Sequence, residues 1–73
     1  MTENEFLKLE IGTVISEKSR ESIYFVIYDI DQMCTAYRGK KYRVYGAKQI
    51  DCDTHFVRIS ISNYLFWNIQ GKV

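Results

Sequence analysis

The alternation of apolar and polar residues limits most strongly what this chain can fold into. Successive side chains of a β-strand point to opposite faces of a sheet, so a period of two indicates strands with one buried face. Residues 7–11 and 57–61 both alternate in this way. Because 73 residues hold one core and not two, the pattern predicts a single all-β domain over residues 1–73.

The predicted strands are short and are separated by polar or glycine-containing turns. Residues 23–30 are nearly all apolar, which favours a strand that is buried on both faces or covered by another part of the protein. Gly39 supplies the positive φ that a tight hairpin turn needs. Strands are predicted over residues 7–14, 23–30, 33–37, 41–45, 55–62 and 64–69, with polar turns over residues 16–22 and 51–54.

Five or six short strands in so small a chain leave little room for two packed sheets. A curled antiparallel sheet that closes on itself removes its unpaired edges. The sequence therefore predicts a small five- or six-stranded antiparallel barrel. Thr2 and Glu5 stand at capping-box spacing, which allows one short turn of helix before the first strand.

One stretch of the sequence is strongly basic. Between Gln32 and Ile50 the chain has five cationic residues and no carboxylate, so the net charge of +1 divides into +5 here and −4 elsewhere. Cationic side chains neutralise phosphates and tyrosine rings stack on unpaired bases, so this composition favours binding to DNA or RNA. The candidate residues of this basic hairpin are Tyr37, Arg38, Lys40, Lys41, Tyr42, Arg43, Tyr45 and Lys48.

The two-residue period also predicts which hairpin side chains face outward. Lys41, Arg43 and Tyr45 fall on one face of the second hairpin strand, and this face is predicted to be exposed, cationic and aromatic. Alternatively, the charges only keep an exposed hairpin soluble and prevent its pairing with other edges, as lysine does on edge strands. The sequence leaves both interpretations open.

Tyrosine is abundant, with six copies in 73 residues, more than so small an interior can hold. Exposed tyrosine and tryptophan side chains anchor protein interfaces because they bury a large area at a small entropic cost. Rim tyrosines that pack with their hydroxyl groups in water are the simpler alternative. The second predicted function is thus a protein interaction module or an inhibitor of a host enzyme, with candidate anchors Tyr24, Tyr28, Tyr64 and Trp67.

The sequence does not favour an enzyme or a metal protein. His55 is the only histidine, no nucleophile motif accompanies it, and Cys52 falls on the opposite face of an extended chain. The 51–55 segment holds ligand-type side chains, but structural zinc usually takes four nitrogen or sulfur ligands. We therefore predict neither catalysis nor a metal nor a cofactor.

Two cysteines are too few for the disulfide framework of a small secreted protein, and no apolar run is long enough to span a bilayer. These features predict free thiols, a cytoplasmic location and no membrane contact. The acidic N-terminal segment could pair with the basic hairpin of a second copy, so a homodimer stays open.

Residues 9–15, with the sequence LEIGTVI, place one glycine among alternating apolar residues ahead of a loop and a strand. This opening, about the first third of the chain, resembles a small SH3-like barrel of the KOW type. The resemblance implies five strands and association with nucleic acid, ribosomes or RNA polymerase, although the aromatic second strand and the segment 64–73 depart from the pattern. The chain is also similar in size and composition to small early bacteriophage proteins, which implies a transcription-associated or host-takeover role in the host cytoplasm.

Overall fold

The computed structural model describes the backbone of residues 1–37 and 40–73 and the side chains of residues 1–31 and 41–73. The described strands form one antiparallel sheet in the order β4-β3-β2-β1-β5, so the last strand lies beside the first. A five-stranded, all-β antiparallel fold with a short N-terminal helix is thus confirmed. The elements are α1 (Glu3–Leu7), β1 (Thr13–Glu17), β2 (Arg20–Tyr37), β3 (Lys40–Gln49), β4 (Phe56–Ile59), a 3-10 helix (Tyr64–Phe66) and β5 (Trp67–Lys72).

Helix α1 begins at the predicted capping box. The Thr2 hydroxyl accepts a hydrogen bond from the Glu5 backbone N–H at 3.2 Å, and the Glu5 carboxylate accepts one from the Thr2 N–H at 2.8 Å. The bond from the Thr2 backbone holds the pKa of the Glu5 carboxyl below its ordinary value. Five residues are too few for a stable isolated helix, so the fully buried Phe6 side chain fixes α1 against the sheet.

Replacing Thr2 with alanine is expected to lower the free energy of unfolding by about 0.5–2 kcal/mol, because the Glu5 N–H loses its partner. The effect should shrink on acidification, because the Glu5 pKa is lowered by the bond from the Thr2 backbone, which remains in the variant, and also by the Thr2 hydroxyl, which alanine lacks. The Glu5 pKa is lowered in the folded state, so its stabilising contribution is present above the unfolded value of 4.5 and is lost as the pH falls through the folded value. Urea unfolding of both proteins at pH 7 and pH 3 measures this, and an equal difference at both pH values would contradict the coupling.

The first strand starts later than the alternation predicts. Leu9 is buried, whereas Leu7 and Ile11 are exposed, so residues 7–11 do not line one face of a strand. The capping box extends α1 to Leu7, and Gly12 then turns the chain at a φ of 94°. The prediction of a strand over residues 7–14 was therefore wrong for residues 7–12, and only Thr13 and Val14 belong to β1.

Strand β2 is a single strand of 18 residues. It includes the predicted strands 23–30 and 33–37, and the predicted turn 16–22 shrinks to the two residues between β1 and β2. A β-bulge interrupts its pairing with β3, because Ile27 pairs with Ala47 and Asp29 with Gly46, which leaves Tyr28 as the extra residue. The bulge changes the phase of the strand, since Ile27 before it and Ile30 after it both contact the core.

The C-terminal third also contains less strand than predicted. Strand β4 ends at Ile59 instead of continuing to residue 62, because the Asn63 side chain folds back on it. The Asn63 amide oxygen accepts from the Ser60 N–H at 2.8 Å, and its amide group donates to the Arg58 carbonyl at 2.9 Å. The predicted strand 64–69 is a 3-10 turn followed by β5.

Aromatic rings join α1 and the sheet in one core. Phe6 meets Tyr45 edge to face, with ring centroids 5.3 Å apart, and stacks on Tyr64 at 5.1 Å. Phe25 meets Trp67 edge to face at 5.3 Å. The described residues show no pairing between β4 and β5, the two edge strands, and the SH3-like barrel stays a prediction. The core residues are Met1, Phe6, Leu9, Ile15, Phe25, Ile27, Tyr45, Ala47, Ile59 and Trp67.

Candidate nucleic-acid interface

The distal part of the β2–β3 hairpin projects beyond the rest of the sheet. Strand β4 pairs only with residues 45–48 of β3, so residues 40–44 belong to a two-stranded ribbon with β2. Lys41 and Arg43 lie on this ribbon, and both are exposed. The turn residues Arg38 and Gly39, and the side chains of Tyr37 and Lys40, lie outside the described residues.

Lys41 and Arg43 form no ion pair with any carboxylate in the described part of the chain. Lys48, by contrast, is half-buried and lies 3.1 Å from Asp53, whose side chain is 90% exposed. Lys48 is thus paired with a carboxylate of the 51–54 turn, and its contact with phosphate stays a prediction. Two further described ion pairs join Arg58 to Asp31 at 3.3 Å and Lys72 to Glu10 at 3.1 Å.

Tyr45 is a core residue and not a surface residue. It is fully buried, and its hydroxyl oxygen makes no hydrogen bond of ordinary geometry to a described group. Burial raises the pKa of this hydroxyl, and the nearby positive charge of Arg43 opposes the rise. The prediction that Tyr45 shares an exposed face with Lys41 and Arg43 is wrong, because that face of β3 enters the core between residues 43 and 45.

Tyr42 lies on the ribbon between the two cations. It is half-buried and packs against the core cluster, so only part of its ring is open to solvent. Its stacking role stays a prediction. Of the candidate hairpin residues with described side chains, Lys41 and Arg43 are thus the two exposed cations without an ion pair.

The predicted protein-binding anchors divide between the core and the surface. Trp67 is buried against Phe25, which rules out its proposed role as an exposed anchor. Tyr64 is half-buried and stacked on Phe6. Tyr24 and Tyr28 are 44% and 49% exposed on the face of β2 that points away from the core.

A pocket on this outer face was not predicted from the sequence. We call it the outer-face pocket; its volume is about 330 Å³. The rings of Tyr28 and Phe56 meet there at a centroid distance of 5.7 Å and an interplanar angle of 64°. The bulge that brings Tyr28 and Asp29 to one site cannot be read from the sequence alternation. The residues that line the pocket are Tyr28, Asp29, Gly46, Phe56, Val57 and Arg58.

The 51–55 turn carries one thiol and one imidazole side chain. Cys52 is a free thiol whose sulfur lies 3.4 Å from the Thr54 hydroxyl, a contact that lowers the pKa of the thiol. His55 is exposed and contacts the Phe25 ring edge to face. Among the described residues, no three histidine, cysteine, aspartate or glutamate side chains gather closely enough to hold a metal ion.

Comparison with protein-family models, curated proteins and solved structures finds no match to this chain. No helix in the described ranges is long and apolar enough to cross a membrane.

Proposed function

We propose that this protein is a non-enzymatic nucleic-acid-binding module that contacts phosphates through the β2–β3 ribbon. The observation that carries the proposal is the exposure of Lys41 and Arg43 without an ion pair among the described residues. An unpaired, exposed cation neutralises a phosphate without first giving up a carboxylate partner. The ribbon also projects from the core, so a nucleic acid can reach it without distorting the fold.

Charge distribution supports the same function. Arg38 and Lys40 adjoin the two exposed cations in sequence, which brings four positive charges into six residues with no carboxylate among them. Such a concentration steers polyanions towards one end of the molecule. Phosphate contacts carry no base information, so the ribbon should bind many sequences with similar affinity. An SH3-like barrel of the KOW type and a transcription-associated or phage role in the cytoplasm belong to this proposal.

The salt dependence of binding tests the proposal. Replacing Lys41 and Arg43 with glutamine is expected to weaken binding to all sequences and to reduce the slope of log K against log salt by about 1.4 for single strands and about 1.8 for duplexes. Electrophoretic mobility shifts with single-stranded DNA, duplex DNA and RNA at several salt concentrations measure both quantities.

A matched control lies at the other end of β2. Lys18 and Arg20 are also exposed cations with no ion pair in the described part of the chain, and replacing both with glutamine makes the same change in net charge. This control variant should keep the wild-type slope. Equal slopes for all three proteins would refute the ribbon as the phosphate-binding site. Equal reductions of the slope in both variants would show that only the net charge of the protein matters, which would also refute it.

The exposed rings of Tyr24, Tyr28 and Phe56 favour a second candidate function, a protein interaction module. Aromatic side chains at 44–52% exposure on one sheet face are typical of interface anchors. A partner that is retained from cell lysate after nuclease treatment and at high salt, and lost on replacing Tyr24 and Tyr28 with serine, would support it. Retention that depends on Lys41 and Arg43 would favour nucleic-acid binding instead.

A further inference from the structure

The outer-face pocket has the size of a site for one flat ring. At about 330 Å³ it stands at the lower end of small-molecule sites, which span about 300–1,000 Å³. Tyr28 and Phe56, 49% and 52% exposed, offer aromatic surface to a ligand within it. Aromatic surface of this kind stacks on unpaired nucleobases.

The strand register places opposite charges at the two ends of this aromatic surface. Asp29 of β2 pairs with Gly46 of β3, and Gly46 pairs with Arg58 of β4. Neighbouring strands lie about 4.8 Å apart, so the Asp29 and Arg58 backbones are separated by about 10 Å. Gly46 has no side chain between them, and a Cβ built there would lie 3.2 Å from the Tyr28 ring, so the ring occupies that space.

Both charged groups retain unused hydrogen-bonding capacity. The Asp29 carboxylate is exposed and bonds to no other described residue, so its oxygens can accept two hydrogen bonds from a ligand. The Arg58 side chain is 74% exposed and gives one described side-chain bond, from Nη1 to Asp31 at 3.3 Å. The other N–H donors of its guanidinium group can bond to acceptors.

We propose that this pocket binds an unpaired guanine base, an inference that rests on the proposed nucleic-acid-binding function. Guanine has two adjacent donors, N1–H and the N2 amino group, which complement the two carboxylate oxygens of Asp29. Its O6 and N7 acceptors complement an arginine. Adenine and cytosine each have one amino donor, and thymine and uracil have one N–H between two carbonyl groups, so none of them matches Asp29 as well.

The pocket is within reach of a strand bound at the ribbon. Gly46 is three residues from Arg43 and five from Lys41 along β3, or about 10 and 17 Å at about 3.4 Å per residue. The two cations share the strand face of Tyr45, so a bound strand must pass around the edge of β3, which β4 leaves uncovered at residues 40–44, to reach the outer face. A single strand of a few nucleotides covers this distance and leaves its bases free to leave the stack. A duplex keeps the guanine N1–H and N2 groups in Watson–Crick pairs, so single strands should be preferred.

The test uses fluorescein-labelled oligothymidines of about 12 nucleotides that carry one central guanine, adenine, cytosine, thymine or hypoxanthine. Fluorescence anisotropy should show about tenfold tighter binding to the guanine oligonucleotide, the preference expected of one bidentate base contact. Hypoxanthine, which lacks the N2 amino group, should lose most of this preference. Asp29→Asn and Tyr28→Leu should bring the guanine-to-thymine ratio to within about twofold, while Tyr24→Leu, outside the pocket, should keep it.

The outcomes separate this inference from the proposed function. Equal affinity for all five oligonucleotides, or a guanine preference that survives both pocket substitutions in folded protein, overturns the guanine site. If that result comes with a salt slope that still depends on Lys41 and Arg43, the proposed function stands without the guanine site. If the guanine preference depends on Asp29 but the salt slope does not depend on Lys41 and Arg43, the pocket binds guanine and the ribbon is not the phosphate-binding site.

Discussion

Replacing Tyr45 with alanine is expected to lower the free energy of unfolding by about 3–5 kcal/mol, the usual cost of deleting a buried aromatic ring. The side chain is fully buried and meets Phe6 edge to face, so its removal leaves a cavity where α1 joins the sheet. Small domains have little stability in reserve, and much of the variant should be unfolded at 25 °C. Urea unfolding followed by circular dichroism measures the loss.

The Tyr45→Phe variant separates the ring from the hydroxyl. The buried hydroxyl makes no hydrogen bond of ordinary geometry to a described group and meets only the nearby Arg43 side chain, so this variant should keep most of the wild-type stability. Burial raises the hydroxyl pKa above 10.0, so wild-type stability should fall as the pH rises above that value, and the phenylalanine variant should lose less. Unchanged nucleic-acid affinity is also expected, and a loss of affinity in folded protein would return Tyr45 to the binding surface.

Replacing Trp67 with alanine should also cost about 3–5 kcal/mol, because the indole packs against Phe25 in the core. Thermal unfolding measured by calorimetry would show it as a large drop in the midpoint. Tyr24→Ala is the matched control, since Tyr24 is 44% exposed and should lose less than about 1 kcal/mol. If Trp67→Ala leaves the midpoint unchanged but abolishes binding of a protein partner, Trp67 is an interface anchor and its assignment to the core fails.

Local signals predicted the parts of the fold that depend on neighbouring residues. The Thr2 and Glu5 pair predicted α1 because a capping box needs only residues three apart. The β-branched and aromatic run at residues 23–30 predicted the centre of β2, and the turn signals between runs predicted five or six strands. The all-β class was therefore accessible from periodicity and turn chemistry alone.

Tertiary context decided the features that the sequence did not predict. The 7–11 alternation also fits the end of a helix followed by a turn, and the burial of Phe6 favours that arrangement. Tyr45 shares its strand face with Lys41 and Arg43 as predicted by parity, but the core covers only one end of that face. The alternation of side chains tells which face of a strand a residue lies on. It does not tell how far along the strand the core extends.

The sequence predicts one part of the candidate site, the ribbon cations, and does not predict the other, the outer-face pocket. The exposure of Lys41 and Arg43 follows from their charge, because lysine and arginine side chains are almost never fully buried without a partner. The outer-face pocket depends on a bulge and on the register of three strands, which bring Asp29 and Arg58 to either side of Gly46. These residues are distant in sequence, so only the paired sheet reveals that they are neighbours.

The bulge at Tyr28 lets β2 present two successive side chains, Tyr28 and Asp29, to the outer-face pocket. Deleting Tyr28 would leave Ile27, Asp29 and Ile30 in plain alternation, with Asp29 still outward and Ile30 still inward, so the core would be kept and the outer-face pocket would lose one aromatic ring. A substitution at the same position would alter one ring and leave the inward and outward assignment intact. The bulge residue is therefore dispensable for the core and needed for the outer-face pocket.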